Sequence, residues 1–342
     1  MDETDVIRLF LAELPPDPRR VSPFFASDAE ILDGHAGPLL FTIDSFDAED
    51  HFRTDDAYAL GWNLAASTVS DISACGGSLE YYGHSATVSE EWDTTFISGL
   101  SRGIADVITA CGGRFAGGDL GRARQWCYTG VALGRAERVV TRAGARAGDV
   151  LYITGCIGAG NFEAAMTLFH AAPAPSASRA PMTMASPRMR FPLRNREAVI
   201  VGRFASACID TSDGLLRALQ ILAEINGTGF EIEDVPYFPD GQSLLRSLDL
   251  PVELLMGGEC GEYELLCTVP RRDEEEFLSA VGDGRMRFHR IGTVTEHGTA
   301  LMHSNGRILD LGDYGLRARR YSDHQVYVQD LARYFQSKRT FS

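Results

Sequence analysis

Six aspartates in this chain sit among residues with small side chains or none: Asp28 in SDAEIL, Asp44 in FTIDS, Asp71 in VSDISACGG, Asp119 in AGGDLG, and Asp210 with Asp213 in IDTSDGLL. By local pattern each falls at a strand end or a helix start. A carboxylate placed there is held rigidly and points off the sheet edge, while Gly, Ser and Ala neighbours let a large polyanion and its cations approach. Mg²⁺ takes oxygen ligands and commonly shares one or two carboxylates with substrate phosphates. The series therefore predicts a site in which two or more Mg²⁺ hold a triphosphate. Taken singly, each aspartate is better explained as a helix cap or an Asp-Gly turn. Capping does not explain the repeated Gly-Gly and Ser before Asp.

Composition narrows the chemistry. The 342 residues carry 47 acidic against 32 basic side chains, a net charge of −15. Only one of the basic residues, Lys338, is a lysine. A P-loop needs a lysine on the phosphates, and protein kinases and pyridoxal-phosphate enzymes need one at the reacting centre. A lone lysine in a polar tail serves none of them. The acidic balance also excludes the basic footprint of a nucleic-acid binder. The histidines form no H-x-x-x-H pattern, and there is no G-x-S-x-G elbow. GCIGAG, residues 155–160, follows a strand but lacks the order of a dinucleotide-binding turn. Seven cysteines without C-x-x-C predict a reduced, cytoplasmic protein. No apolar run reaches the roughly 18 residues of a membrane span.

The elements that must position the aspartates read as follows. Helical spacing covers Asp5–Leu14, and PLLFTI forms a strand ending at Asp44. A helix over 55–74 is rich in small residues, a strand covers Tyr81–Val88, and Thr94–Ala110 has helical period before Gly112-Gly113. Strands follow at Tyr128–Leu133 and Val150–Thr154, then an apolar run Phe204–Ile209 and a helix from Leu215. Residues 171–190, rich in Ala, Pro, Ser and Met, read as a flexible loop. Strands and helices without strict alternation predict an α+β fold. The boundary falls near Glu137, giving an N-terminal domain of 1–137 and a C-terminal domain of 138–342.

In order along the chain, these motifs resemble those of the thiamine-monophosphate kinase family. That family belongs to a superfamily with aminoimidazole ribonucleotide synthetase, selenophosphate synthetase and a hydrogenase maturation protein. SDAEIL is similar to the family's D-D-A-A-x-L, and TIDSFDAEDHF to T-T-D-x-L-V-E-G-x-H-F. AGGDLG resembles I-G-G-D-T-T, TRAGARAGDVLYITG resembles R-S-G-A-K-P-G-D-x-I-Y-V-T-G, and ACIDTSDGLL resembles A-I-D-I-S-D-G-L. The resemblance implies a two-domain fold like that of aminoimidazole ribonucleotide synthetase. Its N-terminal α/β domain dimerises and its C-terminal domain is α+β. It implies transfer of the ATP γ-phosphate to thiamine monophosphate with Mg²⁺, in a cytoplasmic homodimer that binds neither nucleic acid nor membrane. Carried over by motif, Asp28, Asp44, Asp71, Asp119 and Asp213 would be Mg²⁺ ligands, with Thr42 and Asp210 assisting. Gly118, Asp119, Arg142 and Ser212 would face ATP, and Asp44, Asp119 and Arg142 would carry catalysis. His51 and Glu259 would face the thiamine phosphate.

The departures gather at the acceptor side. Ile43 replaces a threonine, Thr68 an asparagine, Ser27 an aspartate and Cys111 the usual tyrosine. GGECGEYELL has two residues more than the family's G-G-E-D-Y-E-L-L, so Glu259 and Glu262 are both eligible for the substrate role. The terminal aromatic motif is reduced to RYSDHQ, where Tyr321 is the candidate to stack on the substrate. Two alternatives stand beside the kinase: an ATP-dependent enzyme of the same fold with another acceptor, and a non-catalytic nucleotide-binding homologue.

Overall fold

A computed structural model describes residues 18–23, 25–34, 37–48, 56–162, 190–282, 284, 286–304 and 306–340. The expected opening helix, His51, and all but Arg190 of the 171–190 loop lie outside the described residues.

The first sheet has five strands: β1 (Glu30–Leu32), β2 (Leu39–Asp47), β3 (Ser78–Ser89), β4 (Arg114–Ala123) and β5 (Cys127–Arg135). Their order is β1-β2-β5-β3-β4, and only β3 and β4 run parallel. Two helices, α1 (Ala57–Ala74) and α2 (Thr94–Ala110), pack with the sheet into one apolar core. Each opens on an aspartate cap. Asp56 accepts from the Ala59 amide at 2.9 Å, and Asp93 accepts from the Phe96 amide at 2.8 Å. The helices touch at glycine. A Cβ on Gly61 would stand 2.0 Å from the Leu100 carbonyl oxygen, and one on Gly103 would stand 2.1 Å from that of Tyr58. Small residues on α1 are thus a packing requirement as well as a feature of the site.

The second sheet contains β6 (Val150–Thr154), β7 (Ala207–Asp210), β8 (Gly229–Ile232), β9 (Leu265–Val269), β10 (Phe288–Thr295), β11 (Ala300–Ser304) and β12 (Arg307–Asp310). Their order is β12-β11-β8-β10-β6-β9-β7. Both faces of its centre are covered. Leu151 and Ile153 pack with residues of α4 (Leu215–Asn226), α6 (Leu254–Gly257) and α8 (His324–Thr340). Val150 and Tyr152 pack with α3 (Asn195–Phe204) and with Phe277 of α7 (Glu274–Val281). Such strands are buried throughout rather than alternating, as β6 and β9 are. A further helix, α5 (Pro239–Ser247), follows β8.

The two layers are tied together. Phe191 belongs to the first core, accepts from Trp62 Nε1 at 2.8 Å and donates to Asn63 Oδ1 at 2.9 Å. Arg138 Nε donates to the Gly202 carbonyl at 2.6 Å. The structure is thus α+β in two layered units, as expected.

Four local readings are corrected. The strand expected to end at Asp44 continues to Asp47, because β2 stays paired with β5 as far as Cys127. Asp71 is inside α1, neither at a strand end nor at a helix start. Asp119 lies within β4, which extends through the glycines to Ala123 by pairing with β3. The run Phe204–Ile209 divides between the end of α3 and β7.

Replacing Gly103 with valine drives methyl groups into the Tyr58 carbonyl. Overpacking of this kind costs about 1–3 kcal/mol. Urea denaturation of Gly103→Val therefore shows a lower midpoint with an unchanged slope.

Candidate functional site

Three separate segments deliver carboxylates to one point. Asp71 comes from the last turn of α1, Asp28 from the bend before β1, and Asp210 from the last residue of β7 in the second sheet. One oxygen from each lies within 4.8 Å of the others. Each is fixed by its surroundings. Thr42, an inward residue of β2, donates from Oγ1 to Asp71 Oδ2 at 2.5 Å. Arg142 Nη2 meets Asp28 Oδ1 at 2.9 Å, and the Arg142 amide bonds the Ala26 carbonyl at 2.8 Å. Ser212 bonds Asp210 Oδ1 through its hydroxyl at 2.8 Å and its amide at 3.2 Å. Behind Asp28, the Ala29 amide donates to the buried Cys75 Sγ at 3.4 Å.

Asp44 is on the same inward face of β2 as Thr42, two residues on, and its carboxylate accepts from Thr68 of α1. The closeness of β5 here depends on Gly130. A Cβ at that position would stand 2.3 Å from Thr68 Oγ1 and 2.5 Å from the Tyr82 hydroxyl. Tyr82 also bonds Tyr128 at 2.9 Å, which meets His84 Nδ1 at 3.2 Å, so a polar row continues inside the sheet.

Electrostatics set the state of this cluster. At an effective dielectric near 20, two carboxylates about 5 Å apart repel by about 3 kcal/mol. Burial adds to that cost. Burial first, then Asp210 and Asp28, push the Asp44 carboxyl up to about 7. Burial and Asp28 raise Asp210 to about 6. Asp71 is pushed well above the carboxylate range by burial, Asp44, Asp210 and Asp28. Without a cation the cluster therefore retains protons. Asp28 Oδ2 and Asp210 Oδ2 are buried with no hydrogen-bond partner. Convergent hard oxygen donors with unfilled lone pairs fit a divalent ion such as Mg²⁺.

Beside the cluster the DTSDG turn leads into α4. Gly214 has φ 81°, and a Cβ there would lie 2.2 Å from the Gly258 carbonyl oxygen. The turn therefore presses against the GGECGE segment. That contact separates the two candidate glutamates. Glu262 is buried, accepts from the Gly158 amide at 2.9 Å and from the amides of Gly160 and Asn161, and is raised to about 8 by burial. It caps a backbone turn. Glu259 stands next to Gly258, accepts from the Ala318 amide at 2.6 Å and lies 3.7 Å from Arg317.

Known proteins share this fold and are similar in sequence. The family model for AIR synthase related protein, N-terminal domain, matches residues 26–136, and that for the C-terminal domain matches residues 146–303. The thiamine-monophosphate kinase of Halobacterium salinarum is 31% identical over 250 residues, 72% of this chain and 81% of that one. The chain belongs to the thiamine-monophosphate kinase family. The enzyme of the same name from Methanopyrus kandleri is 29% identical over 82% of this chain and 89% of its own. Among solved structures, AaThiL complexed with AMPPCP and TMP superposes with a TM-score of 0.71 at 24% identity, covering 89% of this chain and 92% of its own. Hydrogenase maturation protein HypE of E. coli shares the fold at a TM-score of 0.65 and 17% identity, covering 91% and 97%.

Against this family's motifs, the structure brings together Asp28, Thr42, Asp44, Asp71, Arg142, Asp210 and Ser212. Asp213 follows at the rim, with Glu259 beyond it. Three expected residues stand elsewhere. Gly118 and Asp119 are exposed on β4, with Asp119 in register with Ser85, outside the carboxylate cluster. Tyr321 does not present its ring as an open platform. Its hydroxyl donates to Asp330 Oδ2 at 3.0 Å and its ring packs 5.3 Å from Tyr327. Two arginines carry no motif signal and are visible only in the fold. Arg217 and Arg317 both lie close enough to Asp213 to oppose the rise that burial imposes on its carboxyl. No helix among the described residues is long and apolar enough to cross a membrane.

The raised carboxyls fix the sign of a pH effect. Asp44 and Asp210 bind protons more tightly folded than unfolded, where an ordinary aspartate titrates near 3.8. Their contribution to metal-free stability is therefore present at low pH and is lost as pH rises from about 4 to about 7. In chelator, Asp44→Asn flattens that part of the stability profile and leaves the fold intact. Mg²⁺ raises wild-type stability most at pH 8. A profile identical in both proteins would contradict the shared-charge description.

Proposed function

We propose that this protein transfers the γ-phosphoryl group of ATP to thiamine monophosphate, giving thiamine diphosphate and ADP. The observation that carries the reading is the buried Asp28–Asp71–Asp210 cluster, assembled from three segments in a chain of this family. The names of the relatives and the AMPPCP and TMP of the AaThiL complex support it.

The chemistry suits such a site. The acceptor is already an anionic phosphate, so no side chain need remove a proton from it. The obstacle is repulsion between two polyanions, and phosphoryl transfer is mainly positioning and charge neutralisation. Mg²⁺ bound at the cluster would supply that neutralisation. Asp28, Asp71 and Asp210 would hold it, with Asp44, Asp213 and Thr42 completing the oxygen set. Thr42 orients Asp71, and Arg142 holds Asp28 in place. Ser212, exposed beside Asp210, is placed to meet the nucleotide phosphates. Gly118 and Asp119, on β4 outside the cluster, stay in the proposal as ATP contacts on their motif alone. His51 stays in the proposal on its motif alone, facing the acceptor with Glu259. The two-residue excess in GGECGEYELL leaves Glu259 beside the site and turns Glu262 into a structural cap.

We also propose a homodimer formed through the first sheet. Its outward face carries Phe41 and Ile43 of β2, Val131 and Leu133 of β5 and Tyr81 of β3. Ile43 is 54% exposed and Tyr81 is 44% exposed. Nine of the ten residues of edge strand β4 are exposed, Leu120 among them. An apolar face and an open edge on one side of a folded unit mark an association surface.

Incubation with ATP, Mg²⁺ and thiamine monophosphate yields thiamine diphosphate; no product at high enzyme concentration overturns the kinase reading. Asp71→Asn lowers turnover by about 100-fold or more, on the scale of removing one electrostatic stabiliser. In sedimentation the wild type runs as a dimer and Ile43→Arg shifts it toward monomer. A monomeric wild type would refute the proposed interface.

A further inference from the structure

The aspartate cluster accounts for cations and for a triphosphate, but it offers the acceptor's own phosphate nothing except like charge. The structure has a basic half on the other side of the DTSDG turn. Arg217 stands on the first turn of α4, four residues after Asp213. Arg317 reaches the same helix, donating from Nη2 to Gln220 Oε1 at 3.0 Å. Its Nη1 lies 3.7 Å from Glu259 Oε1. The Gly214 contact with Gly258 places Glu259 against the start of α4, since a Cβ on Gly214 would be 3.7 Å from the Glu259 Cα. Asp213, Arg217, Glu259 and Arg317 therefore form one patch that begins where the carboxylate cluster ends.

The two arginines differ in how they are used. Arg317 is engaged with Gln220, with the Leu316 carbonyl at 2.8 Å and with Glu259. Arg217 is half-buried and makes no hydrogen bond or ion pair with the described residues. Its charge is opposed first by burial and then by Arg317, and Asp213, Glu224 and Glu259 only partly compensate. Two guanidinium groups at close quarters with one left unpaired gain from an anion bound between them. A guanidinium offers parallel donors that match the oxygens of a phosphate, which an ammonium does not reproduce. Neither Glu224 nor Glu259 takes a hydrogen bond or ion pair from Arg217, so its donors stay open to a ligand.

We propose that Arg217, assisted by Arg317, binds the phosphate of the acceptor, a dianionic phosphate monoester, on the Asp213 side of the cluster. This rests on the kinase reading and deepens it. Nucleotide phosphates are held from the aspartate side through cations, and the acceptor phosphate is held from the arginine side directly. The two anions then meet across the DTSDG turn with separate neutralising groups. Arg217 thus acts in acceptor selection, and thiamine without its phosphate would gain nothing from it.

The test compares wild type, Arg217→Ala and Arg217→Lys, each first checked for native circular dichroism and thermal unfolding. In steady-state assays, loss of one charged hydrogen-bonding group raises the acceptor KM by about 10- to 100-fold, while the ATP KM stays within about twofold. Arg217→Lys recovers part of the loss. Calorimetry with Mg²⁺ and a non-hydrolysable ATP analogue uses thiamine monophosphate, thiamine and inorganic phosphate as probes. Wild type prefers thiamine monophosphate over thiamine, and Arg217→Ala loses that preference. An unchanged acceptor KM, or phosphate binding equal in wild type and Arg217→Ala, overturns the assignment. If wild type yields no thiamine diphosphate yet binds inorganic phosphate through Arg217, the kinase reading fails and the arginine site stands.

Discussion

Mutual repulsion among carboxylates held out of water is the constraint from which the rest of this structure follows. Asp28, Asp71 and Asp210 each place an oxygen within 4.8 Å of the others, and Asp44 is close enough to be driven up to about 7. A protein keeps such an arrangement only if something external relieves it or the groups stay protonated. The surroundings are built to hold the oxygens in place regardless. Thr42 bonds Asp71, Arg142 bonds Asp28 and Ser212 bonds Asp210, one polar partner for each. Close packing of α1 on β2 and β5 then requires small residues, most plainly Gly130 opposite Thr68 and Tyr82.

The same constraint explains why both sheets are needed. Asp44 and Thr42 come from the first sheet and Asp71 from its covering helix, but Asp210 ends a strand of the second. Joining the two layers through Phe191, Asn63 and Trp62 therefore also completes the site. The arginines are distributed by the same logic. Arg142 is committed to Asp28, Arg317 is shared among Glu259, Gln220 and a carbonyl, and Arg217 remains open. The one lysine, Lys338 on α8, pairs with Asp313 at 2.7 Å. A kinase can lack a phosphate-binding lysine when cations held by carboxylates take over its work, with guanidinium groups beside them.

Much of the fold and of the site is legible in the order of residues. The aspartates announce themselves by small neighbours, the helix at 57–74 by its small residues and that at 94–110 by its helical period. The features that local pattern misplaces have a common cause. Asp44 and Asp119 look like strand ends because glycine, serine and acidic residues are poor strand formers, yet ladder pairing with β5 and β3 carries both strands past them. Asp71 looks like a cap because nothing local reveals that an acidic residue in the last turn of a helix has Thr42 waiting on a neighbouring strand. Spacing cannot choose between Glu259 and Glu262. The choice depends on which carboxylate the Gly158 to Asn161 amides capture.

The sequence by itself determined the chemical inventory: a chain without a usable lysine, aspartates among small residues in a recognisable order, and arginine as its source of positive charge. Those are properties of residue type and succession, and they are enough to name a family. Only the tertiary structure decided which aspartates share a point in space, that Asp119 lies apart from them on an exposed strand, and that Arg217 and Arg317 both come near Asp213 at the start of α4. The reason is that charge repulsion and hydrogen bonding act over a few ångströms, while the groups concerned are separated by tens to hundreds of residues along the chain. Their distances are set by sheet pairing and by the packing of two cores, which no local run of residues contains.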